Sequence, residues 1–197
     1  DTRLSRGLGD VYKRQAVTNV LMKNGLQEVQ LKWPNDILFE NKKLGGILLE
    51  LTGDIAGPCH AVVGIGLNLN MPAEAVQSID QPYTDLCSAE TTVDWEKNRL
   101  SAQLVNELHE QVTRFKQHGF SPFRKEWMAR DNFMGKEVVV SSSDRKIDSG
   151  IHVGVDTDGS ILLETAEGIK PFSGGEISLR TQVCLLYTSP SPRDNRV

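Results

Sequence analysis

The sequence is poor in cysteine and has no long apolar run, and each shortage excludes a class of protein. Of the three cysteines, Cys184 lies in a terminal segment that we set aside below, and Cys59 and Cys87 are too far apart to form a ligand cluster. With so few cysteines and no secretion signal, we expect a reduced, cytoplasmic setting. No apolar run approaches the roughly 18–20 residues that a membrane-spanning helix needs, so we expect no membrane contact.

The usual spacings of metal, nucleotide and nucleophile sites are also missing. The stretch GIGLN at 64–68 is not a dinucleotide fingerprint, because it lacks the third glycine and a following helix. No Ser-His-Asp set can be argued from the sequence. The histidines show no metal-ligand spacing, so we predict no metal site among His60, His109, His118 and His152.

The two ends differ from the rest of the chain. Residues 1–15, DTRLSRGLGDVYKRQ, can be encoded by a DNA string whose reverse complement, read one frame over, encodes residues 184–197. Two unrelated evolved tails would not be antisense copies of one another, and the string resembles a transposon-type sequencing adapter. We therefore interpret both segments as translated adapter and exclude them from fold reasoning. We expect the natural reading frame to be cut on both sides.

The remaining residues, 16–183, are acidic. The terminal segments hold six of the 22 Lys+Arg and three of the 26 Asp+Glu, which leaves 16 against 23 and a net charge of about −7. Binding to the nucleic-acid backbone needs a basic surface. We therefore expect no nucleic-acid binding through this portion.

Hydrophobic periodicity predicts strands first and helices later. The segment 16–23 is typical of the end of a buried helix, and Gly25 is placed to close it. Residues 70–92 lack periodicity and predict a loop with a short helix at 73–79. β-type runs occur at 28–33, 37–39 leading into 44–51 through a polar turn at 40–43, and 61–69.

One apolar stripe predicts a helix that begins near Asp94 and ends at Gly119. Ser121 and Pro122 then predict a second, shorter helix that ends at about Arg130. We assign this helical stretch a supporting role and no chemistry.

The last part of the chain is built of short strands. The turn DTDGS at 156–160 places a glycine where a positive φ is expected. Five short strands at this spacing predict a small SH3-like β-barrel that leans on its neighbour. The strands are predicted at 136–141, 151–155, 161–164, 169–172 and 177–179.

Polar groups gather around the first hairpin, in the stretch QLKWPNDILFENKKLGGILLEL at 30–51. Lys32, Asn35 and Asp36 place a cation, an amide and a carboxylate within five positions, at the end of a strand. The hairpin returns Lys43 towards the same corner, and a lysine suits a phosphate or carboxylate oxygen. On composition alone, a surface hairpin with a solvated Lys-Lys turn is favoured over a binding site.

A second glycine-rich strand follows, VVGIGLNLN at 62–70. Gly64 and Gly66 alternate, which leaves one face of the sheet bare. Asn68 could pair with an edge that offers one donor and one acceptor, such as adenine. A glycine pair that relieves crowding against a helix explains the spacing equally well.

Together, KWPND, KKLGGILLEL, VVGIGLNLN and KPFSGGEISLR resemble the biotin protein ligases, in that order and at similar spacing. The resemblance covers residues 16–183. It implies an α/β (α+β) fold, with a class II aminoacyl-tRNA-synthetase-like mixed sheet and helices at 16–133 and an SH3-like barrel at 134–183. The terminal barrel weighs against the related lipoate ligases.

The resemblance implies a two-step reaction. Biotin and ATP, with Mg²⁺, give biotinyl-5′-AMP, and one lysine of the biotin carboxyl carrier domain of acetyl-CoA carboxylase then takes the biotin. It gives a catalytic role to Lys43, which would contact the carboxyl group of biotin and the adenylate phosphate, and to Asp36, which with Asn35 would orient the acceptor lysine or a metal. The resemblance places biotin or the adenylate against Lys32, Asn35, Lys43, Gly46, Leu48, Gly64, Leu67, Asn68 and Arg180.

The chain also departs from the family pattern. The glycine-arginine-rich loop and the ureido-binding strand, which precede KWPND in the family, are absent, so we expect the chain alone to be inactive. An alternative is a biotin-responsive transcriptional repressor, whose winged-helix domain would have to precede residue 16. Members of the family often pair through sheet edges near this hairpin, so a homodimer stays open.

Overall fold

The computed structural model describes residues 14–53, 59–72, 79, 81–142, 145–173 and 177–181. These residues form two antiparallel sheets and four helices. The predicted helix at 73–79 and nearly all of the two terminal segments lie outside the described residues.

The first sheet is a meander in which each strand pairs with the next along the chain. Its ladders are all antiparallel, and parallel pairing is limited to isolated bridges from Leu31 to Asp131 and from Lys43 to Tyr83 within the described ranges. The predicted strands are confirmed with shifted ends. They are β1 (Gln30–Lys32), β2 (Asp36–Phe39), β3 (Lys42–Gly53) and β4 (Cys59–Leu67).

A two-residue turn joins β2 to β3. Glu40 and Asn41 both have positive φ, 50° and 62°, as the tight hairpin turn that matches strand twist requires. The predicted turn at 40–43 is therefore two residues too long, because β3 already begins at Lys42. A bulge between Ile37 and Leu38 shifts the register beside this turn.

The helices are α1 (residues 14–23), α2 (Leu86–Ala89), α3 (Lys97–His118) and α4 (Ser121–Met128). Glu96, rather than Asp94, caps α3, because its carboxylate accepts from the backbone N–H groups of Asn98 and Arg99. Gly119 ends α3 with φ +65°, as predicted.

Three further details of the helices differ from the sequence prediction. Phe120 stands at the N-cap of α4, so Ser121 is its first residue and makes no cap. Helix α2 lies inside the predicted loop, where Asp85 accepts from the backbone N–H of Ser88. Helix α1 includes residues 14 and 15, both buried, although the sequence predicts them to be part of a translated adapter.

The second sheet confirms the five predicted strands. Its order, β8-β7-β6-β5-β9, leaves β8 and β9 as edges that do not pair with each other in the part of the chain described. Closure into a barrel therefore stays a prediction. The strands are β5 (Glu137–Ser142), β6 (Arg145–Val155), β7 (Ile161–Thr165), β8 (Gly168–Phe172) and β9 (Ile177–Thr181).

One hydrophobic cluster runs through both sheets and the helices. Leu31 and Ile37 of the first sheet, Phe123 and Trp127 of α4, and Val140 of the second sheet all belong to it and are fully buried. Burying such a side chain contributes roughly 1.5–3 kcal/mol relative to exposure. This shared core holds the second sheet against the first, and the predicted domain boundary at 133/134 stays a prediction.

Candidate functional site

Three predicted residues meet at the start of β2. Lys43 Nζ lies 2.7 Å from one carboxylate oxygen of Asp36, and Lys32 Nζ lies 3.4 Å from the other. All three side chains are partly exposed, at 34%, 19% and 21% for Lys43, Asp36 and Lys32. Two ammonium groups around one carboxylate leave one positive charge at this corner, which suits an anionic ligand.

Strand pairing explains how the corner forms. Asp36 pairs with Lys32 across β1 and β2 and with Gly46 across β2 and β3. The backbone carbonyl of Asn35 accepts from the N–H of Ile47 at 2.9 Å, which ties the Pro-Asn-Asp corner to β3. The Oδ1 atom of Asn35 is buried and has no hydrogen-bond partner among the described residues. It is an acceptor that a ligand can use.

Alternating glycines bare the same face of the sheet. Gly46 stands opposite Gly66, and Gly64 stands opposite Leu48. A Cβ placed on Gly46 would meet the backbone oxygen of Asn35 at 3.4 Å and nothing closer. A Cβ on Gly45, which points to the other face, would lie 2.3 Å from the Gly66 oxygen. Gly45 therefore serves the close approach of two strands, whereas Gly46 leaves open space beside the corner.

This open space is a cavity of about 440 Å³. Leu48, opposite Gly64, supplies an apolar wall and remains 56% exposed. An apolar wall ending at a cationic corner fits an apolar chain that carries an anionic group. The cavity is lined by Asn35, Asp36, Lys43, Gly46, Ile47, Leu48, Gly64, Ile65 and Gly66.

Leu67 lies away from this cavity. It stands opposite Gly45, and its side chain packs against the hydrophobic core. Burial alternates along β4, with Gly64 and Gly66 exposed and Ile65 and Leu67 half-buried. Leu67 does not line the cavity, and its predicted contact with the ligand stays a prediction.

Asn68 anchors the strand that carries Lys43. Its amide nitrogen donates to the carbonyl of Thr84 at 2.9 Å and to that of Lys43 at 3.3 Å. Lys43 also donates its N–H to Pro82 and accepts from the N–H of Thr84, both at 2.9 Å. Asn68 does not line the cavity, and its predicted adenine contact stays a prediction.

Arg180 lies in the second sheet, exposed, on β9 opposite Val139. It does not line the cavity, and its predicted reach to the nucleotide stays a prediction.

Sequence reasoning missed part of the site. Gly66 was noted as a spacing signal but left out of the predicted site, and its alternation with Gly64 was the signal that could have included it. Ile47 and Ile65 line the cavity although their positions alternate onto the core side of the sheet. Pro82 and Thr84 hold Lys43 from a segment without periodicity, so nothing in the sequence pointed to them.

The corner does not fit a resident divalent cation. Both carboxylate oxygens of Asp36 face ammonium groups. In the described part of the chain, no three His, Cys, Asp or Glu side chains are grouped to hold a metal ion.

Of the helices described there, none is both long and apolar enough to cross a membrane.

Two known families match separate parts of the chain. The biotin/lipoate A/B protein ligase family matches residues 8–68, and the biotin protein ligase C terminal domain matches residues 133–180. The first match contains the Asp36–Lys43 corner and the glycine strand, and the second contains most of the second sheet.

Similar proteins carry related names. The bifunctional ligase/repressor BirA of Salmonella typhimurium is 40% identical over 165 residues, which span 84% of this chain and 51% of that protein. The biotin--[acetyl-CoA-carboxylase] ligase of Paracoccus denitrificans is 30% identical over 149 residues, 75% of this chain and 61% of that protein. The chain thus spans about half the length of the first of these relatives.

The fold is similar to solved biotin protein ligases. The Aquifex aeolicus ligase in complex with biotin and ATP superposes with a TM-score of 0.74 at 32% identity, covering 89% of this chain and 72% of that one. The apo structure from the same organism gives a TM-score of 0.75 at 31% identity, with 89% and 75% covered.

Proposed function

This chain belongs to the biotin protein ligase family, and from that premise we propose that the protein joins biotin to a biotin carboxyl carrier domain. The observation that carries the proposal is the Lys43–Asp36 pair, 2.7 Å apart, at the end of a glycine-bared cavity. The similar Aquifex ligase is a complex with biotin and ATP. The name of the Paracoccus relative supports acetyl-CoA carboxylase as the source of the carrier domain.

The first step activates the carboxylate of biotin. One carboxylate oxygen bonds to the α-phosphorus of ATP, and the bond to the bridging oxygen of pyrophosphate breaks, so biotinyl-5′-AMP and pyrophosphate form. Lys43 stabilises the negative charge on the phosphate oxygens and on the biotin carboxyl group, since its ammonium stands at the anionic end of the cavity. Leu48 and the bare Gly46 and Gly64 receive the apolar chain of biotin.

The second step transfers the acyl group. The ε-amine of the carrier lysine bonds to the acyl carbon, the bond to the AMP oxygen breaks, and the amine loses a proton. Asn35 and Asp36 orient this amine, because the buried Oδ1 of Asn35 has no partner among the described residues and the Asp36 carboxylate keeps lone pairs beyond the two that face Lys32 and Lys43. Lys32, through its contact with Asp36, holds the carboxylate in place.

Magnesium enters this proposal only with the triphosphate. Since the carboxylate of Asp36 is occupied by two lysines, we assign the ion no protein ligand here. It supplies positive charge to the phosphates when bound.

The proposal extends to the assembly. We take residues 134–183 as an SH3-like barrel, supported by the five short antiparallel strands and the family match at 133–180. Strand β4 lies at a sheet edge, which supports pairing of two copies through that edge. We place the reaction in the cytoplasm, where ATP and carrier domains are supplied.

The test is transfer of labelled biotin to a purified carrier domain, with ATP and Mg²⁺, by the full-length protein. We expect label on a single carrier lysine and release of AMP. A full-length protein that binds neither biotin nor ATP would contradict the proposal. The 197-residue chain, which spans about half of its first relative, is expected to transfer none, and formation of biotinyl-AMP by it would overturn that expectation.

A second function is favoured by the names of the similar proteins, which pair ligase with repressor. Repression requires a DNA-binding unit, and the net charge of about −7 over residues 16–183 does not favour one in this part of the chain. Biotin-dependent binding of the full-length protein to its own promoter DNA would establish this second function, and binding that ignores biotin would exclude it.

A further inference from the structure

Trp33 joins the corner formed by Asp36 and Lys43 to the second sheet. We propose that it is a positioning residue, through which the turn at residues 156–160 holds Asp36 and Lys43 in their mutual geometry. The consequence for turnover rests on the proposed function, whereas the mechanical coupling does not.

The indole of Trp33 is buried, with 3% of its surface exposed. Its Nε1–H donates to the backbone carbonyl of Gly159 over 3.4 Å, across 126 positions of the chain. Trp33 stands two residues before Asn35 and three before Asp36. A displacement of the indole is therefore passed to the corner over a very short piece of backbone.

The turn that receives this hydrogen bond is tightly organised. One carboxylate oxygen of Asp156 accepts from the N–H groups of Asp158 at 2.9 Å and Ser160 at 3.0 Å. The N–H of Asp156 donates to the Ser160 carbonyl at 2.9 Å. Gly159 has φ +81°, a conformation that L side chains rarely adopt. These bonds fix the direction of the Gly159 carbonyl.

The sheet behind the turn is fixed in turn to the helices. Arg124 of α4 donates from Nε to the carbonyl of Val155 at 2.6 Å, one residue before the turn. The fully buried ring of His152, on β6, bonds to the buried carboxylate of Asp131. The backbone N–H of His152 donates to the carbonyl of Lys136 at 3.0 Å. The turn therefore moves with the body of the protein and not as a free loop.

At the other end of this connection, the orientation of Asp36 and Lys43 depends on Trp33. The carbonyl of Asn35 is tied to Ile47, but the side chains of Asp36 and Lys43 are partly exposed, and their ion pairs are with each other and from Asp36 to the partly exposed Lys32. Fixing Trp33 narrows the positions open to Asp36, and misplacement of a catalytic group costs rate more than it costs binding. Loss of the indole hydrogen bond should lower kcat and leave the KM for biotin nearly unchanged.

Two variants test the coupling from opposite ends. Trp33→Phe keeps an aromatic ring in the core and removes the N–H donor together with part of the indole volume. Asp156→Ala loosens the turn without touching Trp33. Matched controls are Trp127→Phe, whose indole N–H has no partner in the described residues, and Asp148→Ala, an aspartate in the same sheet that also accepts a backbone N–H.

The first measurement needs no ligand or activity. In ¹H–¹⁵N spectra of the 197-residue chain, Asp156→Ala should shift the Trp33 indole signal and the amide signals of Asn35 and Asp36. Trp33→Phe should shift the same two amides, and Trp127→Phe and Asp148→Ala should leave them in place. Unmoved amides in both Trp33→Phe and Asp156→Ala would overturn the proposal, and if Trp33→Phe does not fold, Asp156→Ala alone decides.

The second measurement uses the full-length protein in the biotin transfer assay. Both variants should lower kcat about threefold to tenfold, the range expected for loss of one buried hydrogen bond, with the KM for biotin within about twofold of the parent. Shifted amides with no transfer by the parent protein would refute the proposed function and leave the coupling intact. Unchanged kcat with shifted amides would refute the positioning role.

Discussion

Lys43 and Asp36 form an ion pair of 2.7 Å between Nζ and Oδ1 although they lie on different strands and are separated by a hairpin turn. The pair exists because β3 returns antiparallel to β2, with Glu40 and Asn41 closing the hairpin at positive φ. A bulge after Ile37 then sets the register that lets Lys43 reach back. The catalytic prediction follows from this geometry.

Lys43→Ala should reduce biotin transfer by about 10²–10³-fold, since it removes the cation that stabilises charge developing in the transition state. Lys42→Ala is the matched control, because Lys42 is more exposed and only loosely paired to Glu40 at 3.8 Å. Transfer is measured with labelled biotin and a carrier domain in the full-length protein. Equal transfer rates for the two variants would show that Lys43 has no catalytic role.

Gly45→Ala and Gly46→Ala should separate folding from binding at adjacent positions. At Gly45 the new methyl would stand 2.3 Å from the Gly66 oxygen and 2.8 Å from Leu67, so we expect a loss of about 1–3 kcal/mol in the free energy of unfolding. At Gly46 the methyl makes only ordinary contacts, so stability should stay within about 0.5 kcal/mol.

Gly46→Ala should instead weaken biotin binding by about tenfold, because the methyl enters the cavity beside Asp36 and Lys43. Urea unfolding and titration calorimetry give the two quantities. The reverse pattern, a stable Gly45→Ala and an unstable Gly46→Ala, would show that the glycine faces are wrongly assigned.

Glu107 should make stability depend on pH. Desolvation is the largest single influence and acts to raise the pKa of its carboxyl. Hydrogen bonds from Lys23, Asn19 and Gln111 together outweigh it, and the pKa lies below its ordinary value of 4.5. A lowered folded-state pKa stabilises the fold above the unfolded value and loses that stabilisation as pH falls through the folded value.

Glu107→Gln should therefore cost about 1–3 kcal/mol at pH 7, and the difference from the parent chain should shrink as pH falls below about 4.5. Glu110→Gln, an exposed neighbour on the same helix, is the control. Urea unfolding at several pH values measures the difference. A gap that widens on acidification would contradict the sign.

Asp131→Asn should destabilise the contact between the two sheets. The side chains of Asp131 and His152 are both fully buried and bonded to each other. The asparagine keeps the bond from the N–H of Phe133 while losing the charge. Breaking a buried pair on one side costs about 3–5 kcal/mol. Asp94→Asn, at an exposed position, should leave the unfolding midpoint unchanged, and an equal effect of both changes would deny the pair its role.

Much of the local structure could be predicted from the sequence because it depends on neighbouring residues. Alternation of apolar residues placed eight of the nine strands within a few positions, and the early start of β6 at Arg145 was the exception. The end of α3 at Gly119 and the turn at 156–160 were predicted from their glycines, because glycine adopts a positive φ at little steric cost. Helix α2 was missed because it has only four residues and too little periodicity.

The spacing of polar residues in the hairpin could also be predicted from the sequence. The sequence by itself determined which polar groups share one corner: Lys32, Asn35, Asp36 and Lys43. Only the tertiary structure decided where other residues, among them Asn68 and Leu67, lie relative to this corner. It turned Asn68 towards the carbonyls of Lys43 and Thr84 and Leu67 towards the core. It also brought Gly159 to Trp33 across 126 positions. Such contacts depend on the packing of distant segments, which no local spacing records.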